Sequence, residues 1–424
     1  MSEKPKRVAI VGAGIVGIST AIWLQRAGVD VVVIDREAQA GEATSFGNGG
    51  VLAACAMVPV TVPGLFAKAP KMLLSRNEPL FLKWRYLPRL APWLIRYLRH
   101  ANATDAARAA DALAGLVTDA LADHQALAAG TGAENWLQAS DYLYLYKNRA
   151  AFQADAFGWN LRRAHGIEWQ ELEGDAFRQF DPAFSPDIGF AVKMDRHGYI
   201  TDPGRYVKAL AAHMQAQGGQ LLQGGVSDIA REGGKVTGLW VDGQMLKADA
   251  VVIAAGIWSR ELAARLGLKV PMETERGYHL ELIEPSFTPR VPVMHAAGKF
   301  VITPMQGRIR LAGIVEFGGL DAPPSKAPFD LLRRNLRRAM PRLTWKAESE
   351  WMGHRPAPVD SIPVIGPVPG IPGAWLGFGH HHIGLTAGPA TGRLLAQMIV
   401  GTKTNLDASA YSPARFARKN QGRV

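Results

Sequence analysis

Three glycines and one acid carry the clearest chemistry in this chain. Gly12, Gly14 and Gly17 stand at G-x-G-x-x-G spacing in "RVAIVGAGIVGIS", and Asp35 follows eighteen residues after Gly17. In such a run the first glycine permits a tight turn, the second lets backbone approach a pyrophosphate, and the third lets a helix pack on a strand. A carboxylate at the position of Asp35 accepts hydrogen bonds from a ribose diol and disfavours a ribose phosphate. The ligand is thus an adenosine-terminated dinucleotide, FAD or NAD.

The flanking residues supply the elements that must present this set. "RVAIV", with β-branched Val8, Ile10 and Val11, is a short apolar run stopped by glycine, as expected of a buried parallel strand. "ISTAIWLQRAG" has helical periodicity and ends at Gly28, and "DVVVID" is a second β-branched strand that ends on Asp35.

The bulk properties set the frame. At 424 residues the chain has room for two domains and a cleft between them. With 48% hydrophobic and 20% charged residues it is neither wholly disordered nor an integral membrane bundle. The single cysteine, Cys55, excludes an intrachain disulfide framework and a cysteine-based zinc site. No apolar run reaches the ~18 residues of a spanning helix. The first strand starts shortly after Met1 with no apolar signal core before it, so a cytoplasmic location is expected. A net charge of +11 suits nucleic acid, anionic lipid and acidic substrates alike, and equally a plain basic surface. No nucleic-acid motif accompanies it.

A simple nicotinamide dehydrogenase would continue in strand–helix repeats over its first ~150 residues. Here "REAQAGEATSFGNGGVLAACA" follows Asp35, then a helical, proline-broken region, and the next strand of that type is "ADAVVIAAGIWS" at 248–259. Its Ala254, Ala255 and Gly256 bring another close turn to the cofactor side. This interruption resembles flavoenzymes of the glutathione-reductase-like superfamily. In order along the chain, "VIDRE", "ATSFGNGG", "GYITDPGRYVKAL", "VVIAAGIWS", "RGYHLEL", "HRPAPVDSIPVIGP" and "GFGHHHIGLTAGPATGRLLA" resemble the D-amino acid dehydrogenase branch of the FAD-dependent amino acid oxidase and dehydrogenase family, which also holds glycine oxidase and sarcosine oxidase.

That resemblance implies FAD, seated position by position. Gly12, Gly14 and Gly17 would hold the pyrophosphate, Asp35 and Arg36 the adenosine, Thr44 and Ser45 the phosphates and ribityl side. Asn48, Gly49 and Gly50 would lie against the isoalloxazine, Val226 beside adenine, and Gly256 near the ribose and diphosphate. Gly384, Leu385 and Thr386 would face the pyrimidine edge. The last has an independent reason, because "GLTAGPATGRLLAQMIV" opens a helix whose free N–H groups suit the negative charge of a reduced flavin.

Amine oxidation by hydride transfer asks mainly that the substrate carboxylate be anchored and the amine be uncharged. A guanidinium fork matches a carboxylate with two charge-assisted bonds. The resemblance implies Arg355 for this role, and the neighbouring Pro356, Pro358 and Pro363 make its setting rigid. It also implies Tyr278 over the same carboxylate, and strand alternation puts Arg276 on the Tyr278 face as a further candidate anchor. Strand alternation puts Tyr278, Leu280 and Leu282 on one face and His279 and Glu281 on the other. The run His380–His381–His382 does not suit a metal, since three consecutive residues do not converge on one ion and no acids or cysteines join them. His380 reads as structural or flavin-facing and His382 as a pocket base.

Residues 57–100 combine Phe66, Phe81, Trp84 and Trp93 with many bases, a composition that fits an interfacial membrane segment and also a pair of substrate-domain helices. Residues 101–130 read as helix, "DYLYLYKN" as an alternating strand, and the tail "ARFARKNQGRV" as mobile. The expected fold is α/β: a Rossmann-like, glutathione-reductase-like FAD-binding domain over 1–95, 190–265 and 350–424, with an inserted α+β substrate domain over 96–189 and 266–349 on a mainly antiparallel sheet. The expected activity is FAD-dependent oxidation of a D-amino acid or a cyclic imino acid such as a D-proline derivative. A quinone is the favoured electron acceptor and oxygen its rival. An oxygen-using glycine or sarcosine oxidase and a flavin-binding subunit of a larger complex are the alternatives.

Overall fold

The computed structural model describes residues 4–65 and 78–417. Residues 66–77, with Phe66 of the aromatic, basic segment, and 418–424 of the tail lie outside the described residues.

Among the described residues the strands form three sheets. The first has six strands in the order Val364–Pro367, Ala374–Phe378, Ala250–Ile253, Arg7–Val11, Asp30–Asp35, Gln220–Gln223. All neighbours are parallel except Val364–Pro367, which runs antiparallel to Ala374–Phe378. Arg7–Val11 is central, with Val8 opposite Val31 on one side and Ala250 on the other. Its side chains alternate between two cores, Val8 and Ile10 into one and Ala9 and Val11 into the other. A strand covered on both faces in this way must be apolar throughout.

Gly12 ends that strand with φ +108°, and a Cβ there would lie 2.6 Å from the carbonyl oxygen of Ala254. The turns after Arg7–Val11 and Ala250–Ile253 therefore touch through bare backbone, which only glycine allows. The helix Ile15–Arg26 packs along the helix Gly384–Val400, where a Cβ on Gly392 would come within 2.6 Å of the Thr20 nitrogen. Small residues thus bring together two helices nearly four hundred residues apart and open both N-termini at one end of the sheet.

The second sheet has ten strands. Its main path runs Ala347–Pro358, Met272–Ile283, Arg308–Phe317, Phe300–Met305, Val293–His295, Leu137–Tyr146, Phe190–Ile200, Val51–Leu52, with Leu80–Leu82 and Gln170–Glu173 beside it. The small third sheet joins Val226–Glu232, Lys235–Val241 and Gln244–Lys247. The stretch 101–130 forms two helices, Ala103–Val117 and Ala120–Ala128, rather than one, the first capped by the Asn102 side chain accepting from the Asp105 N–H at 2.9 Å.

Met272–Ile283 and Ala347–Pro358 pair antiparallel, with Glu275 opposite Arg355 and Gly277 opposite Gly353. On one face Tyr278, Leu280 and Leu282 pack with Phe329, Leu332 and Leu336 of the helix Lys326–Ala339. The other face carries Glu275, Gly277, His279 and Glu281. Beside it the fully buried Arg310 donates to the backbone oxygens of Phe46 at 2.7 Å and Asn48 at 2.6 Å, and to Glu281 Oε1 at 2.7 and 3.0 Å. This guanidinium ties the glycine-rich loop after Thr44 to the large sheet. Replacing Arg310 by Met strands a buried carboxylate and two carbonyls; the expected loss is about 3 kcal/mol in urea unfolding, softened because Arg308 still pairs with Glu281.

Candidate active site

Between the two large sheets lies a cavity of about 940 Å³. At one end it meets the turn of the first strand and the open N-terminus of Ile15–Arg26, where Gly14 provides no side-chain cap. Gly12 and Gly14 line it there. Asp35 and Arg36 form its next wall; Asp35 accepts from the Ala13 N–H at 2.6 Å and from the Glu37 N–H at 3.0 Å, and Arg36 stacks on Trp258 at 4.2 Å. Val226 and Gly256 close that end. Thr44, Ser45, Asn48 and Gly49 line the middle. Thr44 donates to the His354 carbonyl at 2.9 Å, Ser45 accepts from Ile15 N–H at 3.0 Å, and the Asn48 side chain accepts from Gly50 N–H at 3.0 Å.

The other end receives Gly384, Leu385 and Thr386, the first turn of Gly384–Val400, again without a side-chain cap. Two helix N-termini thus face one long cavity, the first with its Ile15 N–H on Ser45 Oγ, a fit to a ligand with a diphosphate and a second electron-rich part.

Arg355 lines the cavity beside this second end. A Cβ on Gly277 would lie 2.5 Å from Arg355 Nε and 2.7 Å from Cζ, so the guanidinium lies flat over bare strand backbone. Among the described residues it makes no hydrogen bond and no ion pair. Burial lowers its pKa, and the Glu275 carboxylate opposes that shift. His382 is exposed and opens onto the same cavity; desolvation by nearby protein, with His381 and Arg355 adding to it, lowers its pKa to about 4. His380 is bound to Thr391 Oγ1 at 3.0 Å, and burial drives it to about 3.

Four residues expected in the site stand elsewhere. Tyr278 is not on the cavity: its hydroxyl donates to Glu316 Oε2 at 2.6 Å and accepts from Ser325 N–H at 3.0 Å, under the helix Lys326–Ala339. Arg276, on the same far face, pairs with Glu316 at 2.7 Å. The alternation was legible, but the cavity takes the face of Glu275 and Gly277. Gly17 does not reach the cavity; a Cβ there would sit 1.9 Å from the Gly12 oxygen, so it seats helix on strand. Gly50, with φ +77°, packs against Ile200 and Met305 instead of lining the cavity.

Sequence reasoning did not reach Glu275, His381 and Tyr97, all buried on this cavity. Tyr97 sits on the helix Leu87–Arg99, whose Leu90, Trp93 and Tyr97 turn inward at helical spacing. Trp93 stacks on Tyr97 at 4.4 Å and donates to the Ala357 oxygen at 3.1 Å, so of the two readings of this segment Trp93 follows the one that packs it as a helix against the sheet. Trp84 and Ile95, 56% and 55% exposed, stay outside. Among the described residues no helix is long and apolar enough to cross a membrane.

A parallel sheet with a glycine turn, an acid on the second strand and a roof of antiparallel strands over the same cavity defines a dinucleotide-dependent oxidoreductase. Residues 7–398 match the model of the FAD dependent oxidoreductase family, DAO, and the chain belongs to it. It is a flavoenzyme that uses FAD. It is 36% identical over 418 residues to a D-amino-acid oxidase of Bradyrhizobium diazoefficiens, covering 97% of this chain and 99% of the relative. It is 30% identical over 423 residues to a D-amino acid dehydrogenase of Rhizobium rhizogenes, covering 97% and 100%. The fold is similar to that of glycine oxidase from Geobacillus kaustophilus, with TM-score 0.74 at 22% identity over 98% of this chain and 99% of that one.

The bed under Arg355 is open to test. In Gly277→Ala the new methyl must displace the guanidinium, whose far end is free to move. The expected result is a protein that keeps its flavin spectrum and binds small carboxylates about tenfold or more weakly in absorbance titrations.

Proposed function

We propose that the chain oxidises a D-amino acid, or a cyclic imino acid such as a D-proline derivative, at the carbon between amine and carboxylate, with Arg355 holding the carboxylate. The observation that carries this reading is the guanidinium left without a partner over Gly277, in the cavity that the two helix N-termini also share. A charge kept free there costs desolvation energy that an anionic ligand offsets. The relatives named D-amino-acid oxidase and D-amino acid dehydrogenase support the substrate class.

When bound, FAD would accept the hydride, one proton with two electrons, from the substrate carbon. The residues of Gly12, Gly14, Asp35, Thr44, Ser45, Asn48 and the first turn of Gly384–Val400 would hold it. Arg355 fixes the acid group by its fork, which sets the orientation of the carbon to be oxidised. Leu90, Leu94, Val315 and Phe317 line an apolar wall that keeps water from the reacting carbon and accepts a nonpolar side chain. His382, neutral above about pH 4, can accept a hydrogen bond from the amine without adding a charge that repels it.

A quinone is the acceptor that best suits a peripheral contact with anionic membrane. Exposed Trp84 and Ile95 stand among exposed Arg85, Arg89, Arg96 and Arg99, which supports that contact on a chain placed in the cytoplasm. Oxygen is the rival, and stoichiometric hydrogen peroxide would select it.

The test is an anaerobic screen of D- and L-amino acids for bleaching of the flavin band, followed by Arg355→Ala. D-isomers with apolar side chains are expected to bleach it, and the substitution is expected to remove about 3 kcal/mol of transition-state stabilisation, a loss of two orders of magnitude or so in kcat/KM. Unchanged kinetics would move the carboxylate site elsewhere.

A further inference from the structure

Glu275 faces Arg355 across the strand pair and lines the same cavity, only 4% exposed. Among the described residues its carboxylate has one loose partner, His381 Nδ1 at 3.6 Å from Oε2, and it forms no ion pair with Arg355. His381 is held with φ 49°, unusual for a residue with a side chain, and its Nε2 lies 3.3 Å from the Pro358 oxygen. That oxygen can only accept, so Nε2 donates to it, and Nδ1 is the ring atom that faces Glu275. The hydroxyl of Tyr97, stacked on His381 at 6.2 Å, is also buried and unpartnered. Burial alone would raise the Glu275 pKa, but His381, Arg355 and His382 together hold it below the ordinary carboxylate range.

A buried carboxylate kept ionised, with its one partner loose at 3.6 Å, is set to meet a cationic ligand group. Directly opposed residues of antiparallel strands have Cβ atoms about 5 Å apart, so the two side chains present opposite charges side by side to one small molecule. An α-amino acid zwitterion carries the matching pair on one carbon. We propose that Glu275 receives the α-ammonium of the substrate, so that Glu275 and Arg355 form a two-sided clamp for the zwitterion. This rests on Arg355 binding the substrate acid, as proposed above. It gives the ammonium a charged partner that neutral His382 does not supply, and it favours amine-bearing acids over plain carboxylates of the same shape.

The flavin-loaded protein separates the two claims by absorbance titration with two probes. One is α-methylleucine, which has no α-hydrogen and is not oxidised; the other is the same branched carboxylate without the amine. In Glu275→Gln, α-methylleucine is expected to bind about tenfold or more weakly, while the amine-free acid binds as well as before or better, since a nearby negative charge has gone. Arg355→Ala is expected to weaken both. If Arg355→Ala weakens both and Glu275→Gln alters neither, the ammonium site is overturned while the carboxylate site stands. If Arg355→Ala alters neither, the underlying reading fails. Should Glu275→Gln not retain flavin, Glu275→Asp serves instead: its shortened reach is expected to weaken only the amine-bearing probe, and equal affinity for it overturns the proposal.

Discussion

A guanidinium that lines the cavity without a partner among the described residues is the condition on which this structure turns. Left near any flexible acid, Arg355 would close on it and the site would be filled from within. The strand pairing prevents this by geometry. Glu275 is its cross-strand neighbour yet forms no ion pair with it, and Gly277 offers flat backbone on which the planar group rests. Rigid β-structure on both sides holds two side chains of opposite sign on one face of the strand pair without an ion pair between them.

The second half of the site is assembled from segments far apart in sequence. The glycine turn after Arg7–Val11 touches the turn after Ala250–Ile253, and the helices Ile15–Arg26 and Gly384–Val400 lie side by side through small residues. Their N-termini open into the cavity that Arg355 lines. Arg310 joins the halves, its guanidinium bound at once to the large sheet through Glu281 and to the loop oxygens of Phe46 and Asn48. Cofactor loop and substrate roof are thereby one mechanical unit.

The cofactor half was legible in the sequence because backbone chemistry fixes it. A tight turn, a close approach and an acid at a strand end each demand one residue type, so Gly12, Gly14 and Asp35 announce themselves. The motif around Arg355 singled it out, and it lines the cavity. What the sequence could not say was which face of Met272–Ile283 meets the cavity. Alternation sorts Tyr278 from His279 but carries no sign, and only the docking of helix Lys326–Ala339 onto Leu280 and Leu282 sets it. Glu275 went unread for the same reason, since its meaning depends on the residue across the sheet. Tyr97 was masked by its surroundings: a helix rich in exposed arginines looks interfacial until Leu90, Trp93 and Tyr97 are seen to share its inner face. Gly17 and Gly50 show the converse, glycines that serve packing rather than the ligand.

The most direct measurement is a crystal structure of the flavin-loaded chain soaked with a small aliphatic carboxylate. The account predicts the acid group seated on Arg355 over Gly277, with two parallel N–H···O bonds of about 2.8 Å. A carboxylate bound elsewhere in the cavity, with the Arg355 guanidinium turned away from it, would contradict it.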